Sequence, residues 1–589
     1  MHKAATLSRD SIDVGVRSRT GGAMRKLIAV ISALFFIQCV PGRQAPSSEA
    51  ATNFFTKRPK LLVTIVIDQF RADYLTRFQS RFLPARSADG SVGGFKYLTS
   101  EGAYYPLAEY NVAQSITSPG HATILTGAYP YRSAVPLNAW VDRTTNKLIN
   151  SVDDSRFPAV RILVSDDAEP TIDASPMQLA ATTIGDELKN AGYPSRVVSI
   201  ALKARAAVLL GGFRADLALW MDSRHWISSR YYLPDGTFPE WVSELNKTTP
   251  AVGSTIEWKL DHAGTGYSAK DSMALTDAQN AGAIGGRNFP HSAKYGTPQA
   301  LAMPIGLELT ERAAEYAIRG MQLGRSGATD VLAVSFSSHD MIGHAFGPNS
   351  REMEEMTVAE DAAIARLLNF IQREVPGGLD ETVFVLTADH GAPPSPEWAA
   401  ANKLPAGRID MKALAAELSA HLNAKFGEPK SGKWVHATSA FNIFLNDREM
   451  GERRLERGQV EDFAKEFIAR DPRIQMVVTR TDRERGLLPR GEFELQLVHS
   501  YTPGKSGDIL VIPKPLFVGV QATVDHATGY SYDRTVPIIL TGRFIRKGVY
   551  TTRAEVVDIA PTLAALLGTI PPTMSEGRKL SEALDFSGK

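Results

Sequence analysis

Aspartate and histidine residues follow the apolar segments LLVTIVI, VLAVSF and TVFVLTA, and a later segment, VDHATGY, adds another histidine. These residues are Asp68, Asp340, His344, Asp389, His390 and His526. Mixed carboxylate and imidazole ligands suit zinc, with manganese or iron as poorer fits, because calcium and magnesium avoid nitrogen ligands. Three carboxylates and three imidazoles therefore predict a site for two divalent metal ions.

Each of these residues alone has a simpler interpretation, as a turn residue at a strand end or an ordinary loop histidine. Their joint pattern favours the metal site. Asp340 and His344 are four residues apart, so one helical turn would direct both at one ion. Adjacent side chains diverge, so Asp389 and His390 would either bridge two ions or bind one ion from two sides. His339 is predicted to point away from Asp340 on a strand, and we leave it out of the site.

The segment QSITSPGHATILTG places two hydroxyl groups at an expected helix start. Thr117 and Ser118 immediately precede Pro119, a residue favoured in the first turn of a helix, where a preceding hydroxyl caps N–H groups. The simplest interpretation is such a cap. Beside two metals the same geometry makes a nucleophile, because a helix start stabilises anionic oxygens and a metal lowers the pKa of a hydroxyl. The combination indicates phosphoryl transfer, and His121 stays unassigned.

Buried parallel strands are the elements that would position these residues. Residues 61–67 form a continuous apolar run, which is typical of a strand buried on both faces of a parallel sheet. Further strands are predicted at 196–201, 331–336, 382–387, 508–512 and 535–540. Helical patterns at 177–192 and 356–375 lie between strands. This alternation predicts an α/β fold with a doubly wound, mostly parallel central sheet and helices on both faces.

Two stretches interrupt this alternation. Residues 215–300 are rich in Trp, Tyr, Gly and Asp, and residues 395–500 carry their own helical patterns and the strand-like AFNIFLN. We interpret both as cap or loop insertions. The predicted organisation is a leader over residues 1–50 followed by a single catalytic domain over residues 51–589.

The start of the chain has the layout of a secretory signal. From Met24 it reads MRKLIAVISALFFIQC, with two basic residues, a short apolar run and the single cysteine, Cys39. The run is too short for a stable membrane span. We expect translation to start at Met24 and cleavage to leave a periplasmic or secreted chain without cysteine. The alternative is lipoprotein anchoring through Cys39, although Gln38 is a poor residue before such a cleavage site.

Charge and composition exclude some partners. The chain has 589 residues and a formal net charge of +1, so no basic surface for nucleic acid is indicated. Its 43% hydrophobic content is ordinary for a globular protein. We expect a monomer that acts on small molecules.

The segment around Thr117 resembles the nucleophile motif of the alkaline phosphatase superfamily. In that motif a Thr or Ser precedes a Pro-x-His helix start, followed by Thr-Gly and Pro. The six predicted ligands match the superfamily's two-metal site in order and local context, and VVDIAPTLAALLG resembles its closing segment. The resemblance covers residues from about 60 to 580. It implies two zinc ions and leaves additional calcium or magnesium open.

Within the superfamily, three further residues resemble the secreted, threonine-dependent alkaline phosphatases of the PhoK/PafA type. Asn138 falls 21 residues after Thr117, and SIALKARAAVLLGG supplies Lys203 and Arg205. The resemblance implies that Lys203 and Arg205 grip phosphate oxygens while Asn138 donates a hydrogen bond. The simpler interpretation is two solvated charges, but at a strand end they would alternate with Ala204 and point the same way. Two cations favour a monoester dianion over a diester.

The resemblance also divides the ligands between two zinc ions. The first set is Asp340, His344 and His526, and the second is Asp68, Asp389 and His390, which Thr117 approaches. The implied mechanism is two in-line displacements: Thr117 attacks phosphorus, and water then hydrolyses the phosphothreonine. The implied activity is that of an alkaline phosphatase acting on phosphate monoesters.

Three other functions compete with this interpretation. A phosphodiesterase or nucleotide pyrophosphatase on the same fold would usually lack Lys203 and Arg205 and would stack nucleotides on aromatic residues. The candidates for stacking are Trp220, Trp226, Tyr231 and Tyr232. An arylsulfatase is disfavoured, since the sequence has no Cys/Ser-x-Pro-x-Arg context at Thr117 and no cysteine outside the leader. A non-catalytic binder of phosphate or metal is the third alternative.

Overall fold

The computed structural model describes residues 58–161, 172–260, 284, 289–520 and 522–585. The predictions for the leader, including Met24 and Cys39, lie outside these residues. Within the described part of the chain, no helix combines the length and the apolar character needed to cross a membrane.

The described residues form twenty β-strands, numbered here in chain order. They are β1 (Leu61–Ile67), β2 (Gly102–Glu109), β3 (Ala139–Asp142), β4 (Lys147–Asn150), β5 (Ala159–Val160), β6 (Val197–Ala201), β7 (Leu217–Met221), β8 (Trp226–Ser229), β9 (Thr255–Trp258), β10 (His291–Lys294), β11 (Asp330–Phe336), β12 (Thr382–Thr387), β13 (Gly407–Ile409), β14 (Val435–Ser439), β15 (Asn442–Leu445), β16 (Ile474–Thr479), β17 (Ile509–Pro513), β18 (Phe517–Gly519), β19 (Thr535–Gly542) and β20 (Gly548–Val549).

The α-helices of the same residues range from four to 24 residues in length. They are Tyr74–Arg77, Phe95–Glu101, Thr117–Thr126, Pro130–Ser133, Ile184–Asn190, Ala204–Gly211, Glu240–Lys247, Pro298–Ala302, Pro304–Gly320, Ser338–Phe346, Arg351–Glu374, Pro396–Ala401, Met411–Phe426, Asp447–Glu452, Arg457–Ile468, Arg480–Glu484, Glu494–His499, Ser531–Arg534 and Ile559–Leu567.

Ten strands build the central sheet in the order β20-β2-β19-β12-β1-β11-β6-β7-β8-β5. Its middle strands, β12, β1, β11, β6 and β7, run parallel to one another. Antiparallel pairs flank this group on both sides. The middle strands are buried along their whole length, which requires helices to cover both faces of the sheet. The predicted α/β fold with a mostly parallel sheet is confirmed.

Most predicted strands are confirmed, but one belongs to another sheet. β1 and β12 have the predicted bounds, and β6, β11 and β19 differ from them by one or two residues. The strand predicted at 508–512 is β17, which lies in a separate four-stranded sheet ordered β14-β15-β17-β16. An apolar run predicts burial but does not identify the partner strands.

Both predicted helices begin at residues other than those predicted, and in each case a capping residue precedes the observed start. The helix predicted at 177–192 is confined to Ile184–Asn190, because Thr183 and Asp186 form a reciprocal capping box at its start. The helix predicted at 356–375 begins earlier, at Arg351, where the Ser350 side chain accepts a hydrogen bond from the Met353 amide.

The stretch interpreted as a first insertion contains part of the central sheet. Residues 217–221 and 226–229 are β7 and β8, so the interruption begins after them. Aromatic residues suggested a loop there, but Trp220 and Trp226 are buried in apolar clusters. The second stretch contributes helices and strands to a separate apolar cluster, which also contains Trp140 and Val141 of β3 and residues of β17. Arg143, directly after β3, forms a bidentate ion pair with buried Asp508, directly before β17, at 3.1 Å for each bond.

The strand order brings the predicted ligands to one edge of the sheet. β1 lies between β11 and β12, and all three run in the same direction. Asp68 directly follows β1, Asp389 lies two residues after β12, and Asp340 lies in the helix that follows β11. Ligands in parallel sheets gather beyond the carboxyl ends of the strands, which is where these three residues lie.

Candidate active site

Three buried carboxylates converge beyond the ends of β11, β1 and β12: Asp340, Asp68 and Asp389. The Lys203 ammonium lies 2.5 Å from Asp68 Oδ2 and 2.5 Å from Asp340 Oδ2. His390 Nε2 lies 3.5 Å from Asp68 Oδ1 and 3.4 Å from Asp389 Oδ2. Lys203 thus lies between Asp68 and Asp340, and His390 lies between Asp68 and Asp389.

Each of the three predicted histidine ligands is oriented by a backbone carbonyl. The contacts are His344 Nδ1 with Val524 O at 2.7 Å, His390 Nδ1 with Gly391 O at 3.0 Å, and His526 Nδ1 with Ser115 O at 2.7 Å. Because a carbonyl only accepts, Nδ1 must carry the hydrogen in each ring. Each Nε2 is therefore the nitrogen available to a metal, as is usual for histidine ligands held by a backbone carbonyl.

The histidine Nε2 atoms and the carboxylate oxygens form groups of possible metal ligands, and some residues belong to more than one group. Asp340, His344 and His526 form one group whose ligand atoms all lie within 4.8 Å of one another, and this is the first predicted set. His344 Nε2 is 3.2 Å and His526 Nε2 is 3.9 Å from the same oxygen of Asp340. Asp68 and His390 form a second group with Asp340. A third group joins Asp389 to Asp68 and His121. The three groups together contain all six predicted ligands, although none of them is the predicted second set of Asp68, Asp389 and His390.

The electrostatics of the carboxylates favour a bound cation. Burial, followed by the charges of Asp340 and Asp389, raises the pKa of Asp68 to about 6. Burial would also raise the pKa of Asp340, but the nearby charges of His344 and Lys203 hold that pKa well below its usual range. Ionised carboxylates in this environment require positive charge close by.

Burial has the opposite consequence for the imidazoles. It lowers the pKa of His390 to about 4 and, together with the charges of His390 and His344, the pKa of His526 to about 3. Burial also opposes protonation of His344, but Asp340 raises the pKa of that ring to about 9. Neutral imidazole is the form that binds a metal, so His390 and His526 are suited to that role at any physiological pH.

These residues fit a divalent metal centre. Asp68 Oδ1 and Asp389 Oδ2 are buried and accept no hydrogen bond. Buried carboxylate oxygens are costly without a compensating cation or donor. Carboxylate oxygens and oriented imidazole nitrogens are together the donors of zinc sites rather than of calcium or magnesium sites.

Of the two hydroxyls at the start of helix 117–126, only that of Thr117 faces the predicted ligands. Thr117 is the first helical residue after the extended Ile116, and the helix has no side-chain cap. Thr117 Oγ1 lies 3.5 Å from His390 Nε2. The hydroxyl of Ser118 instead shares a hydrogen bond of 2.7 Å with Ser151. The simple capping interpretation therefore does not describe Thr117.

Asn138 lies beside the start of this helix, and Lys203 lies between Asp68 and Asp340. Asn138 Oδ1 accepts a 2.8 Å hydrogen bond from the Ser118 amide, which leaves its amide hydrogens as donors. Lys203 and Arg205 do not alternate along a strand as predicted, because β6 ends at Ala201 and a helix begins at Ala204. Lys203 is the residue before that helix, and Arg205 is its second residue, with a buried Nε that has no hydrogen-bond partner.

Two further residues contact the buried carboxylates but were not assigned to the site from the sequence. Gln69 donates hydrogen bonds to Asp389 and Asp340, and His121, which had stayed unassigned, lies with Nδ1 3.2 Å from Asp389 Oδ2. His121 Nδ1 also lies 2.9 Å from the carbonyl of Thr117, four residues earlier on the same helix. That spacing was an available signal, since residues four apart are neighbours on a helix.

His339 lies outside the site, as predicted, although it is on a helix rather than a strand. Its Nδ1 lies 2.9 Å from Glu360 Oε2, and its ring packs against Phe70 and Tyr74. The helix from Ser338 to Phe346 turns Asp340 towards the site and His339 towards this buried carboxylate.

Comparison with known proteins finds relatives that span most of the chain. Alkaline phosphatase PafA from Elizabethkingia meningoseptica is 28% identical, over 90% of this chain and 95% of its own. Alkaline phosphatase PhoV from Synechococcus elongatus is 29% identical, over 95% of this chain and 99% of its own. The crystal structure of wild-type PafA matches with a TM-score of 0.78 and 27% identity, over 90% of this chain and 99% of that one.

The family model of the type I phosphodiesterases and nucleotide pyrophosphatases matches residues 62–521. This range includes Thr117 and every predicted metal ligand except His526, together with the parallel strands that position them. The match covers more than half of the chain and agrees with the resemblance to the alkaline phosphatase superfamily found in the sequence. The chain therefore belongs to the type I phosphodiesterase/nucleotide pyrophosphatase family, within the alkaline phosphatase superfamily.

Proposed function

We propose that this protein is a metal-dependent phosphatase that hydrolyses phosphate monoesters with Thr117 as nucleophile. The observation that carries the proposal is the position of the Thr117 hydroxyl, at a helix start and 3.5 Å from His390 Nε2. A hydroxyl held beside metal ligands at a helix start suits attack on an anionic phosphoryl group. The relatives PafA and PhoV are named alkaline phosphatases, which supports the same activity for this chain.

We assign two zinc ions to the site, in two sets of ligands. One set is Asp340, His344 and His526, and the other is Asp68, Asp389 and His390. When bound, zinc would supply Lewis acidity that lowers the pKa of a nearby hydroxyl and stabilises charge on a leaving oxygen. Oriented imidazole nitrogens in both sets favour zinc over magnesium or calcium.

The residues of the chain bind, orient and attack the substrate. Thr117 Oγ1 loses its proton to solvent and forms a bond to phosphorus, while the bond from phosphorus to the alcohol oxygen breaks and that oxygen takes a proton from water. Water then cleaves the phosphothreonine and releases phosphate. The side-chain oxygen of Asn138 accepts a hydrogen bond from the Ser118 amide, and its amide group donates a hydrogen bond to a phosphate oxygen. Lys203 and Arg205 neutralise the remaining negative charge of the phosphate.

Monoester preference is the property that the two cations should confer. Arg205→Ala is expected to lower kcat/KM for p-nitrophenyl phosphate by about 10²-fold and to affect bis-p-nitrophenyl phosphate much less, because a diester carries less charge. Steady-state kinetics at alkaline pH on both esters measures this ratio. Lys203→Ala should do the same, with zinc content measured in parallel because Lys203 contacts Asp68 and Asp340.

A matched control is Arg448→Ala, which removes an exposed arginine that pairs with Glu452 on its own helix. Its kinetic constants should stay at the wild-type level. Equal losses on monoester and diester in Arg205→Ala would contradict the assigned role of Arg205.

A phosphodiesterase is the second candidate, since the matched family is described by that activity. A wild-type enzyme that prefers the diester in the same assay would favour it. The aromatic candidates for nucleotide stacking are nevertheless poorly accessible: Trp220, Trp226 and Tyr232 are buried, and Tyr231 is half-buried. The side chains of the first two are packed in apolar clusters instead.

Gly120 should be required for placing Thr117. A Cβ at this position would collide with the carbonyl oxygen of Asp389 and lie 2.7 Å from its Cβ. Gly120→Ala should shift helix 117–126 away from the metal ligands and lower kcat/KM by roughly 10²-fold, since a displacement near 1 Å costs that much. Gly451→Ala, where a Cβ meets nothing within 4 Å, is the control. Wild-type kinetics in Gly120→Ala would show that the helix tolerates the shift.

The remaining proposals concern the whole protein. We propose a periplasmic or secreted monomer whose residues 1–50 are a leader and whose residues 51–589 form a single catalytic domain with insertions. N-terminal sequencing of the protein secreted by its host and light scattering of the purified chain test these points. Retention of residues before Met24 would contradict the leader proposal.

A further inference from the structure

Gln69 contacts carboxylates from both predicted metal sets. It directly follows Asp68 and is fully buried. Its backbone amide donates a 3.0 Å hydrogen bond to Asp389 Oδ1. Its side-chain Nε2 donates a 2.8 Å hydrogen bond to Asp340 Oδ1, the oxygen that also faces His344 and His526. One residue thus links a carboxylate of each set.

The backbone of Gln69 has an unusual conformation at the point where it makes both contacts. Its φ is +67°, in the left-handed region that residues other than glycine rarely adopt. This turn directs the amide hydrogen towards Asp389 and the side chain towards Asp340 on the other side of β1. Uncommon backbone conformations that persist in a well-packed fold are concentrated at functional sites.

Helix 338–346 leaves room for the Gln69 side chain at Gly343. A Cβ at residue 343 would collide with Gln69 Oε1 and lie 2.8 Å from Gln69 Cδ. Gly343 lies between Asp340 and His344 on helix 338–346, so the same helical turn presents two predicted ligands and accommodates Gln69. The oxygen Oε1 is buried without a hydrogen-bond partner, so the contact with Asp340 is the polar contact that the side chain makes here.

We propose that Gln69 is a positioning residue for the metal centre, and this inference rests on the proposed function. Its side chain fixes the ligand oxygen of Asp340, and its backbone amide fixes Asp389. A neutral amide donor orients a carboxylate without adding a charge that would repel a metal ion, unlike the ammonium of Lys203. Partners that hydrogen-bond to metal ligands in this way commonly contribute a factor of about 10 to 100 in metal affinity.

Gln69→Met is the principal test, because methionine has a similar volume but cannot donate a hydrogen bond. The backbone amide remains, so its bond to Asp389 is retained. Zinc affinities are measured by competition with a chromogenic chelator, and zinc content by elemental analysis. We expect one of two zinc affinities to fall about 10- to 100-fold, with the other changed much less.

Gly343→Ala provides a second route to the same result if Gln69→Met fails to fold. It keeps the amide but displaces it from Asp340, so the same single affinity should fall. In the double variant the two effects should not add, because both act through one hydrogen bond. Folding of each variant is checked by circular dichroism and cooperative urea unfolding.

Unchanged zinc affinities in both variants, or equal losses at both zinc ions, would overturn the inference. A wild-type protein that binds no zinc would instead overturn the proposed function. The two failures are therefore distinguishable without any measurement of activity.

Discussion

Thr117→Ala should lower kcat/KM for p-nitrophenyl phosphate by roughly 10³-fold or more while leaving zinc content unchanged. The reason is that the variant removes the oxygen that attacks phosphorus but none of the six predicted ligand side chains. Thr117 Oγ1 is the hydroxyl near His390, and its removal leaves a methyl group that fits the same buried position. Steady-state kinetics and elemental analysis of the same preparation measure both quantities.

Ser118→Ala separates the two hydroxyls that the sequence places at the helix start. The Ser118 hydroxyl is bonded to Ser151, so this variant should lose much less activity than Thr117→Ala. Thr117→Ser keeps a hydroxyl and should recover a large part of the activity. Acid quench during turnover, followed by peptide mass spectrometry, should locate phosphate on Thr117. Full activity in Thr117→Ala, or phosphate on Ser118, would exclude the proposed nucleophile.

Removal of divalent metals should be the second large effect, lowering hydrolysis of both esters by at least about 10³-fold. The Lys203 ammonium is paired with the buried carboxylates of Asp68 and Asp340, so the chain alone provides little to stabilise charge on a leaving oxygen. Dialysis against a strong chelator, followed by kinetics before and after zinc return, measures this loss. Zinc should restore activity with two equivalents per chain.

Magnesium or calcium alone should restore little activity, because three of the predicted ligands are imidazoles. The melting temperature should also fall after chelation, since a ligand that binds only the folded state stabilises it. Activity that persists in a preparation with no measurable zinc, manganese or iron would contradict the metal-dependent mechanism.

Much of the site follows from the sequence because its residues lie beside strong local signals. Asp68 and Asp389 come within two residues of apolar, β-branched runs that are long enough to be recognised as buried strands. Parallel strands bring their carboxyl ends to one edge, so residues far apart in the chain are predicted to meet. The Thr-Ser-Pro helix start is similarly local. These signals also sufficed for the α/β fold class and for the superfamily.

Tertiary contacts determine strand pairing and core packing, which local sequence patterns do not predict. The strand at 509–513 has the same apolar character as β1, yet it pairs with β15 and β16 in a separate sheet. Trp220 and Trp226, which suggested a loop, belong to β7 and β8 and are packed in the core. Strand partners are chosen by packing over the whole chain, and a single apolar run carries no information about them.

The orientation of the site residues likewise depends on contacts between distant parts of the chain. Ser115, 411 residues before His526, supplies the carbonyl that turns the ring, and Gln69 reaches Asp340 across a separation of 271 residues. Residue types and spacing were enough to predict that the six candidate ligands and Thr117 would lie together. Only the folded chain determined which nitrogen, oxygen or hydroxyl faces the centre, because a hydrogen bond is directional and its partner can lie anywhere in the sequence.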